Sequence, residues 1–347
     1  VVEMPNNRHV DYSYDAYQQL TSEAIVDSVA GNRTITYSYD AVGNRLSMQD
    51  SVKGLTTDSY DANNRLTSLS GASGITNFSY DNNGNLLSEV NLTSAKNYTY
   101  DVQNRLVGFA SGTNTVAYQY DSDGTLLKKV VNGAQETKLL VDKNRPFSQV
   151  LRETNQSDNT TIDYTFGHNL ISSQRGNLDS RYYHQDVQQS TRFLSNSLAN
   201  ITDEYVFDAF GNLIDSAGST TNQHLFSSER FDSDLESYYL RTRYYSSKVG
   251  RFMSVDPLKG VKLVPKSLNA YIYAFNQPMN LFDPTGLVPS TIGSIPSLSQ
   301  LIIYPQTLFR AIKSVPDNSG QSLSTSDSLN IQNVLTSARR LALQQRH

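Results

Sequence analysis

The 347-residue chain contains no cysteine and no tryptophan. Without cysteine there is no disulfide framework, no thiolate zinc site and no cysteine nucleophile. Charge is scarce too: charged side chains make up 18% of the chain, below the about 25% usual for a soluble protein. The 29 Lys and Arg stand against 33 Asp and Glu, a formal net charge of −4. That balance excludes a strong nucleic-acid footprint, so no nucleic-acid partner is expected. No apolar run reaches the roughly 18 residues of a membrane-spanning helix, so no membrane span is expected. No GxGxxG, Walker or GxSxG motif occurs, and His9, His168, His184, His224 and His347 lack the spacing of a site such as HExxH. The expectation is therefore neither cofactor nor metal.

Tyrosine is abundant: 22 Tyr occur beside 13 Phe, and their placement is periodic. Tyr-Asp appears at Tyr14, Tyr39, Tyr60, Tyr80, Tyr100 and Tyr120, in steps of 25, 21, 20, 20 and 20 residues. Each pair is followed by a turn and then by a basic or polar residue with Leu: Asn44-Arg45-Leu46, Asn64-Arg65-Leu66, Asn85-Leu86 and Asn104-Arg105-Leu106. Degenerate copies continue from Asp142 to Arg145, from Tyr164 to Gly167 and from Val206 to Leu213. A spacing held this closely is the mark of a repeat architecture.

One unit reads as a β-hairpin. The run from Thr36 to Tyr39 alternates small polar with aromatic residues, the period-2 pattern of a strand with two unlike faces. Asp, Asn and Gly then supply a turn, because their side chains bond nearby backbone or they tolerate positive φ. A lone hairpin is unstable in water, so successive units are expected to pair edge to edge into one long sheet. Identical tyrosines are expected to stack as ladders across that sheet.

The Tyr-Asp unit followed by Gly-Asn-Arg-Leu resembles the YD repeat of Rhs proteins, Tc toxin C subunits and teneurins. The run from Tyr238 to Tyr245, with Gly250-Arg251-Phe252, Asp256-Pro257, Tyr271, Asn276 to Pro278 and Asp283 to Leu287, is similar to the Rhs-associated core. The resemblance covers about residues 11 to 287, with the motifs in the family's order. It implies an all-β chain whose hairpins form a spiralling sheet, the C-terminal part of a hollow Rhs-type shell, with a short, partly helical C-terminal tail. The expected organisation is a shell over 1–230, the Rhs-associated core with its autocleavage motif over 231–287, and a variable tail over 288–347 that is cargo or remnant.

The same resemblance implies an intramolecular aspartyl autoprotease that cuts after Asp-Pro-x-Gly-Leu, here between Leu287 and Val288. The matching carboxylates are Asp256 and Asp283. Two carboxyl groups held close cannot both ionise cheaply, so one stays protonated and polarises the scissile carbonyl while the other activates water. Arg251 is the candidate to orient the pair, since a guanidinium suits a carboxylate fork; Arg243 is the second choice. Asp-Pro and Pro-x-Gly are also ordinary turn dipeptides, which leaves a purely structural role open. Cutting one's own chain once is at most single-turnover enzymology.

Composition changes after Leu287. The last 60 residues (347 − 287) have no Glu and carry a net charge of +3, from five Lys and Arg against Asp317 and Asp327. Ile331, Val334, Leu335, Ala338, Leu341 and Ala342 fall at helical spacing. The implied function is a secreted or cell-surface shell protein of a polymorphic toxin or Tc-like system. Its partners would be its own C-terminal segment as cargo, further N-terminal shell repeats, and a secretion or translocation partner. A teneurin-like adhesion module that is never cut is the alternative, and a degenerate remnant a third.

Overall fold

The Tyr-Asp turn sets the geometry of the hairpins that it closes. In the computed structural model, which describes residues 2–4, 8–27, 31–176, 179–260 and 265–291, the Asp81 carboxylate closes its turn twice. Its Oδ1 accepts the Asn85 backbone N–H at 2.8 Å and its Oδ2 accepts the Asn85 side-chain amide at 2.8 Å. Asp40 with Asn44, and Asp208 with Asn212, repeat this pattern. At Asp61 and Asp101 the fourth residue is Arg, whose Nε takes the amide's place. The residue just before is left-handed, Gly84 at φ +83 or Asn104 at φ +60, which is why only Gly or Asn occupies it in these turns. A bulge precedes the repeat tyrosine, between Ser79 and Tyr80 and again between Gln119 and Tyr120.

The hairpins join into one 21-stranded sheet that runs from Val2–Met4 to Leu213–Ala217. Each strand pairs antiparallel with the next in sequence; the first and last do not pair with each other, so the sheet is open. Successive repeats are fastened by tyrosine hydroxyls: Tyr39 donates to the Leu20 carbonyl and Tyr120 to the Leu106 carbonyl, at 2.8 and 2.7 Å. The expected tyrosine ladder does not form among the described residues. Arg65 lies over the Tyr80 ring and Arg105 over Tyr120, and the tyrosine faces turn instead to aromatic residues from farther along the chain.

Those residues belong to the segment that leaves the sheet after Ala217. It forms a four-stranded sheet, Arg230–Asp232, Ser237–Leu240, Arg243–Ser246 and Arg251–Phe252, and a two-stranded ladder, Leu281–Phe282 with Ser290–Thr291. Its apolar side chains complete the core on the large sheet. Leu235, Tyr244 and Met253 pack with Leu86, Tyr98, Leu106 and Phe109, and Tyr118 meets Tyr244 at 5.7 Å between ring centroids. Polar contacts fix the register: the Leu86 N–H donates to the Met253 carbonyl at 2.9 Å, and the Tyr271 hydroxyl to the Gly84 carbonyl at 2.9 Å.

The meander also curls back on itself. Leu20, Ile35 and Tyr37 from the first repeats pack with Ala209 and Phe210 from the last turn, and the Ala209 N–H donates to Glu23 Oε2 at 2.9 Å. Val1–Gly293 accordingly forms one compact unit. No helix among the described residues is long and apolar enough to cross a membrane. The helix expected over 331–342, and the tail from 292 onward, lie outside the described residues.

Candidate active site

Three consecutive residues hold the segment expected to be cut. Leu281–Phe282 and Ser290–Thr291 pair as a ladder, so residues 283–289 form its connecting loop. Against that loop stands the tight turn between strands Ser237–Leu240 and Arg243–Ser246. Arg241 Nη1 donates to the Pro284 carbonyl, the Thr242 N–H to the Thr285 carbonyl at 3.2 Å, and Arg243 Nε to the Gly286 carbonyl. The approach is close enough to require glycine. Gly286 sits at φ +67, and a Cβ there would lie 2.6 Å from the Leu240 carbonyl oxygen.

Inside the loop, Asp283 Oδ1 accepts the Thr285 hydroxyl and the Leu287 N–H, both at 3.1 Å. Thr285 Oγ1 in turn lies 3.4 Å from the Val288 nitrogen, whose N–H it accepts. The peptide bond between Leu287 and Val288 is thus fixed on both sides by contacts that lead back to Asp283.

Asp256 comes from the other direction, on the chain that follows strand Arg251–Phe252. Its Oδ1 accepts the Leu258 N–H at 2.8 Å and its Oδ2 accepts Arg243 Nη2 at 2.9 Å. The same Nη2 is 3.8 Å from Asp283 Oδ2, so one guanidinium nitrogen faces both carboxylates. Arg243 is buried, donates Nη1 to the Ala270 carbonyl at 2.9 Å and lies 3.6 Å above the Phe252 ring. Burial pushes the Asp256 carboxyl up to about 6, against the pull of Arg243, and the neighbouring Asp283 charge adds to the rise. Burial likewise raises Asp283 and lowers the Arg243 guanidinium. A half-buried and a buried carboxyl, both with raised proton affinity, thus face one guanidinium nitrogen.

Arg251 is not part of this arrangement, a correction to the expectation from sequence. Its Nη1 donates to Asn44 Oδ1 at 3.0 Å and its Nη2 to the Asn64 carbonyl at 2.5 Å, and its guanidinium stacks on Tyr60 at 4.7 Å. It ties the core segment to the second and third repeat turns. The place between the carboxylates belongs to Arg243. Sequence reasoning also missed Glu229, buried beside the loop, where both its oxygens accept Arg241 Nη1 at 3.0 and 2.8 Å. The available signal was the Arg241-Thr242-Arg243 triplet, two cations inside an aromatic run; nothing local marks Glu229.

A family model described as Teneurin YD-shell matches residues 2–279. Among curated proteins, tRNA nuclease WapA of Bacillus subtilis (strain 168) is 30% identical over 167 residues, covering 47% of this chain and 7% of that protein. Toxin protein Tse5 of Pseudomonas aeruginosa is 43% identical over 63 residues, covering 18% of this chain and 4% of that protein. The chain thus spans 7% or less of the length of these relatives. The crystal structure of TcdB2-TccC3 aligns with a TM-score of 0.44 at 19% identity, covering 82% of this chain and 19% of that one.

Proposed function

Since the chain belongs to the teneurin YD-shell family, we propose that it is the C-terminal part of an Rhs-type shell which encloses its own C-terminal segment and severs it between Leu287 and Val288. The observation that carries this reading is the meeting of Asp256 and Asp283 on Arg243 Nη2, at 2.9 and 3.8 Å, beside a loop whose Leu287 N–H is bonded to Asp283.

The chemistry is peptide hydrolysis by a carboxyl pair that holds one proton. The ionised member takes a proton from water as the water oxygen attacks the Leu287 carbonyl carbon. The protonated member donates a hydrogen bond to the carbonyl oxygen, where negative charge develops. The carbon–nitrogen bond then breaks, the proton passes to the Val288 nitrogen, and a Leu287 carboxylate and a Val288 amine remain. Arg243 keeps both carboxyls and the Gly286 carbonyl in one frame, the positioning on which an intramolecular reaction depends. The reaction runs once per chain.

In this reading the cut segment is cargo, and the protein acts outside the cell that makes it, in a toxin system with further shell repeats and a delivery partner. The match to the toxin protein Tse5 supports that placement. The test is denaturing electrophoresis of the purified chain beside Asp256→Asn and Asp283→Asn. Two pieces from the wild type and one from each variant are expected. Three intact chains would overturn the proposal, and binding of the uncut chain to glycan or protein ligands would then be the activity to assay.

A further inference from the structure

The peptide bond between Leu287 and Val288 is touched from within its own loop. Thr285 is half-buried, and its hydroxyl makes three contacts. It donates to Asp283 Oδ1 at 3.1 Å, and its Oγ1 accepts the Leu287 N–H at 3.3 Å and the Val288 N–H at 3.4 Å. A threonine that accepts N–H groups a little farther along the chain is an ordinary turn device. The bond to Asp283 is not needed for that turn. It links a buried carboxyl, through one hydroxyl, to the nitrogen that must leave. The backbone of Thr285 is itself held: its carbonyl accepts the Thr242 N–H at 3.2 Å, and the flanking Pro284 and Gly286 carbonyls are taken by Arg241 and Arg243. The hydroxyl therefore turns on a fixed support, the placement that proton transfer requires.

We propose that Thr285 is a further catalytic residue of this cut, whose hydroxyl carries a proton from Asp283 to the Val288 nitrogen as the chain separates. The inference rests on the cleavage reading and assigns the carboxyls within it, Asp283 as base and Asp256 as acid. Asp283 takes a proton from the attacking water, and Asp256 donates a hydrogen bond to the Leu287 carbonyl oxygen. Once that carbon is tetrahedral its bond to nitrogen is single and turns, so the nitrogen lone pair can face Oγ1. The Asp283 proton passes to Oγ1 while the proton of Oγ1 passes to nitrogen, and the carbon–nitrogen bond breaks. The hydroxyl ends as it began, Asp283 is again ionised, and a Leu287 carboxyl group and a Val288 amine remain.

The charged and titratable groups around Asp283 are Arg243, Asp256, Arg241, Glu229 and Tyr273, and substitution of Thr285 leaves all of them in place. Burial raises the Asp283 carboxyl, while Arg243, the Leu287 N–H and the Thr285 hydroxyl lower it. Thr285→Val keeps the shape and removes the hydroxyl, so Asp283 should hold its proton to higher pH. Full chains of wild type, Thr285→Val and Thr285→Ser are made by cell-free synthesis, and cutting is followed from pH 4 to 9. Thr285→Val should be cut about a hundredfold more slowly, the lower end of what a positioned proton donor contributes. Its acid limb should rise by about half to one pH unit, the worth of one hydrogen bond. Thr285→Ser, which keeps the hydroxyl, should restore both. In water enriched in 18O, the uncut Thr285→Val chain should also gain label at the Leu287 carbonyl, because an intermediate that cannot protonate its nitrogen reverts to the peptide. Slower cutting with neither label nor a shifted limb would mean a purely structural role and overturn the inference. Thr285→Ala is the second variant should Thr285→Val not unfold cooperatively. A wild type that is cut, beside a Thr285→Val chain cut at the same rate, overturns this inference alone. A wild type that is never cut overturns the cleavage reading, and the relay with it.

Discussion

Arg243→Gln and Arg251→Gln should fail in different ways, although both remove a buried arginine from the same short segment. Arg243 serves two carboxylates and two carbonyls. Removing one member of a buried ion pair costs about 3–5 kcal/mol when the partner is left charged. The two aspartates escape that cost by taking up protons, which is easy at pH 5 and hard at pH 8, since burial already holds Asp256 at about 6. At pH 5 the loss is mainly the two donors to the Gly286 and Ala270 carbonyls, about 1–3 kcal/mol for each group left unsatisfied. The penalty at pH 8 should exceed that at pH 5 by about 2–3 kcal/mol, since each pH unit between the two carboxyl affinities is worth about 1.4 kcal/mol. At about 1.5–2 °C per kcal/mol for a unit of this size, the difference between the two unfolding midpoints should widen by about 3–6 °C. Arg251 serves neutral partners, Asn44, Asn64 and Asn269, so Arg251→Gln should lower the midpoint by a similar amount at both pH values. The assay is thermal unfolding of each variant at pH 5 and pH 8, with the extent of cutting measured on the same samples. Comparing each variant with itself cancels any offset between cut and uncut chains. Arg243→Gln should also abolish cutting, whereas Arg251→Gln should still be cut once folded. The same pH pattern in both variants, or normal cutting by Arg243→Gln, would refute the assignment of the arginine.

Other consequences follow from single contacts. Gly286→Ala should block cutting, because its Cβ would lie 2.6 Å from the Leu240 carbonyl oxygen at a φ of +67; a gel showing wild-type cutting would contradict the close approach. His224 is held neutral by burial, with its affinity lowered to about 4, so the unfolded chain binds the extra proton. The stability this confers is present above about pH 6.5 and is lost as pH falls through 4, about 3 kcal/mol in all; His224→Gln should flatten the acid limb of an unfolding titration. Asp101→Ala removes the acceptor for the Gln103 and Arg105 N–H groups and for Arg105 Nε. Amide exchange should rise about tenfold or more in the hairpin Ala95–Ser111, the effect of about 1.4 kcal/mol of local opening, with little change in repeats far along the sheet.

The repeat hairpins were legible because their causes are local. Asp81 and Asn85 carry the turn in their own side chains, and the alternation from Thr36 to Tyr39 assigns the faces before anything packs on them. The tyrosine ladder was misread because the inner partner of Tyr80 and Tyr118 is not the next repeat. Tyr271 and Tyr244 arrive from more than a hundred residues away, and no period predicts that. The same holds at the candidate site. Asp256 and Asp283 stand out through their Asp-Pro motifs, whereas the arginine that joins them depends on where the turn at Arg241 to Arg243 is set down. Arg251 and Arg243 look equivalent in the sequence; strand Arg251–Phe252 carries the former toward Asn44 and Asn64. Glu229 lies outside every motif and is drawn in only by Arg241.

The most direct test of the account is the intact mass of the purified chain under denaturing conditions. The account predicts two species that sum to the full chain plus one water, one ending at Leu287 and one of 60 residues beginning at Val288. A single species at the full mass, in a protein that unfolds cooperatively and is therefore folded, would contradict it.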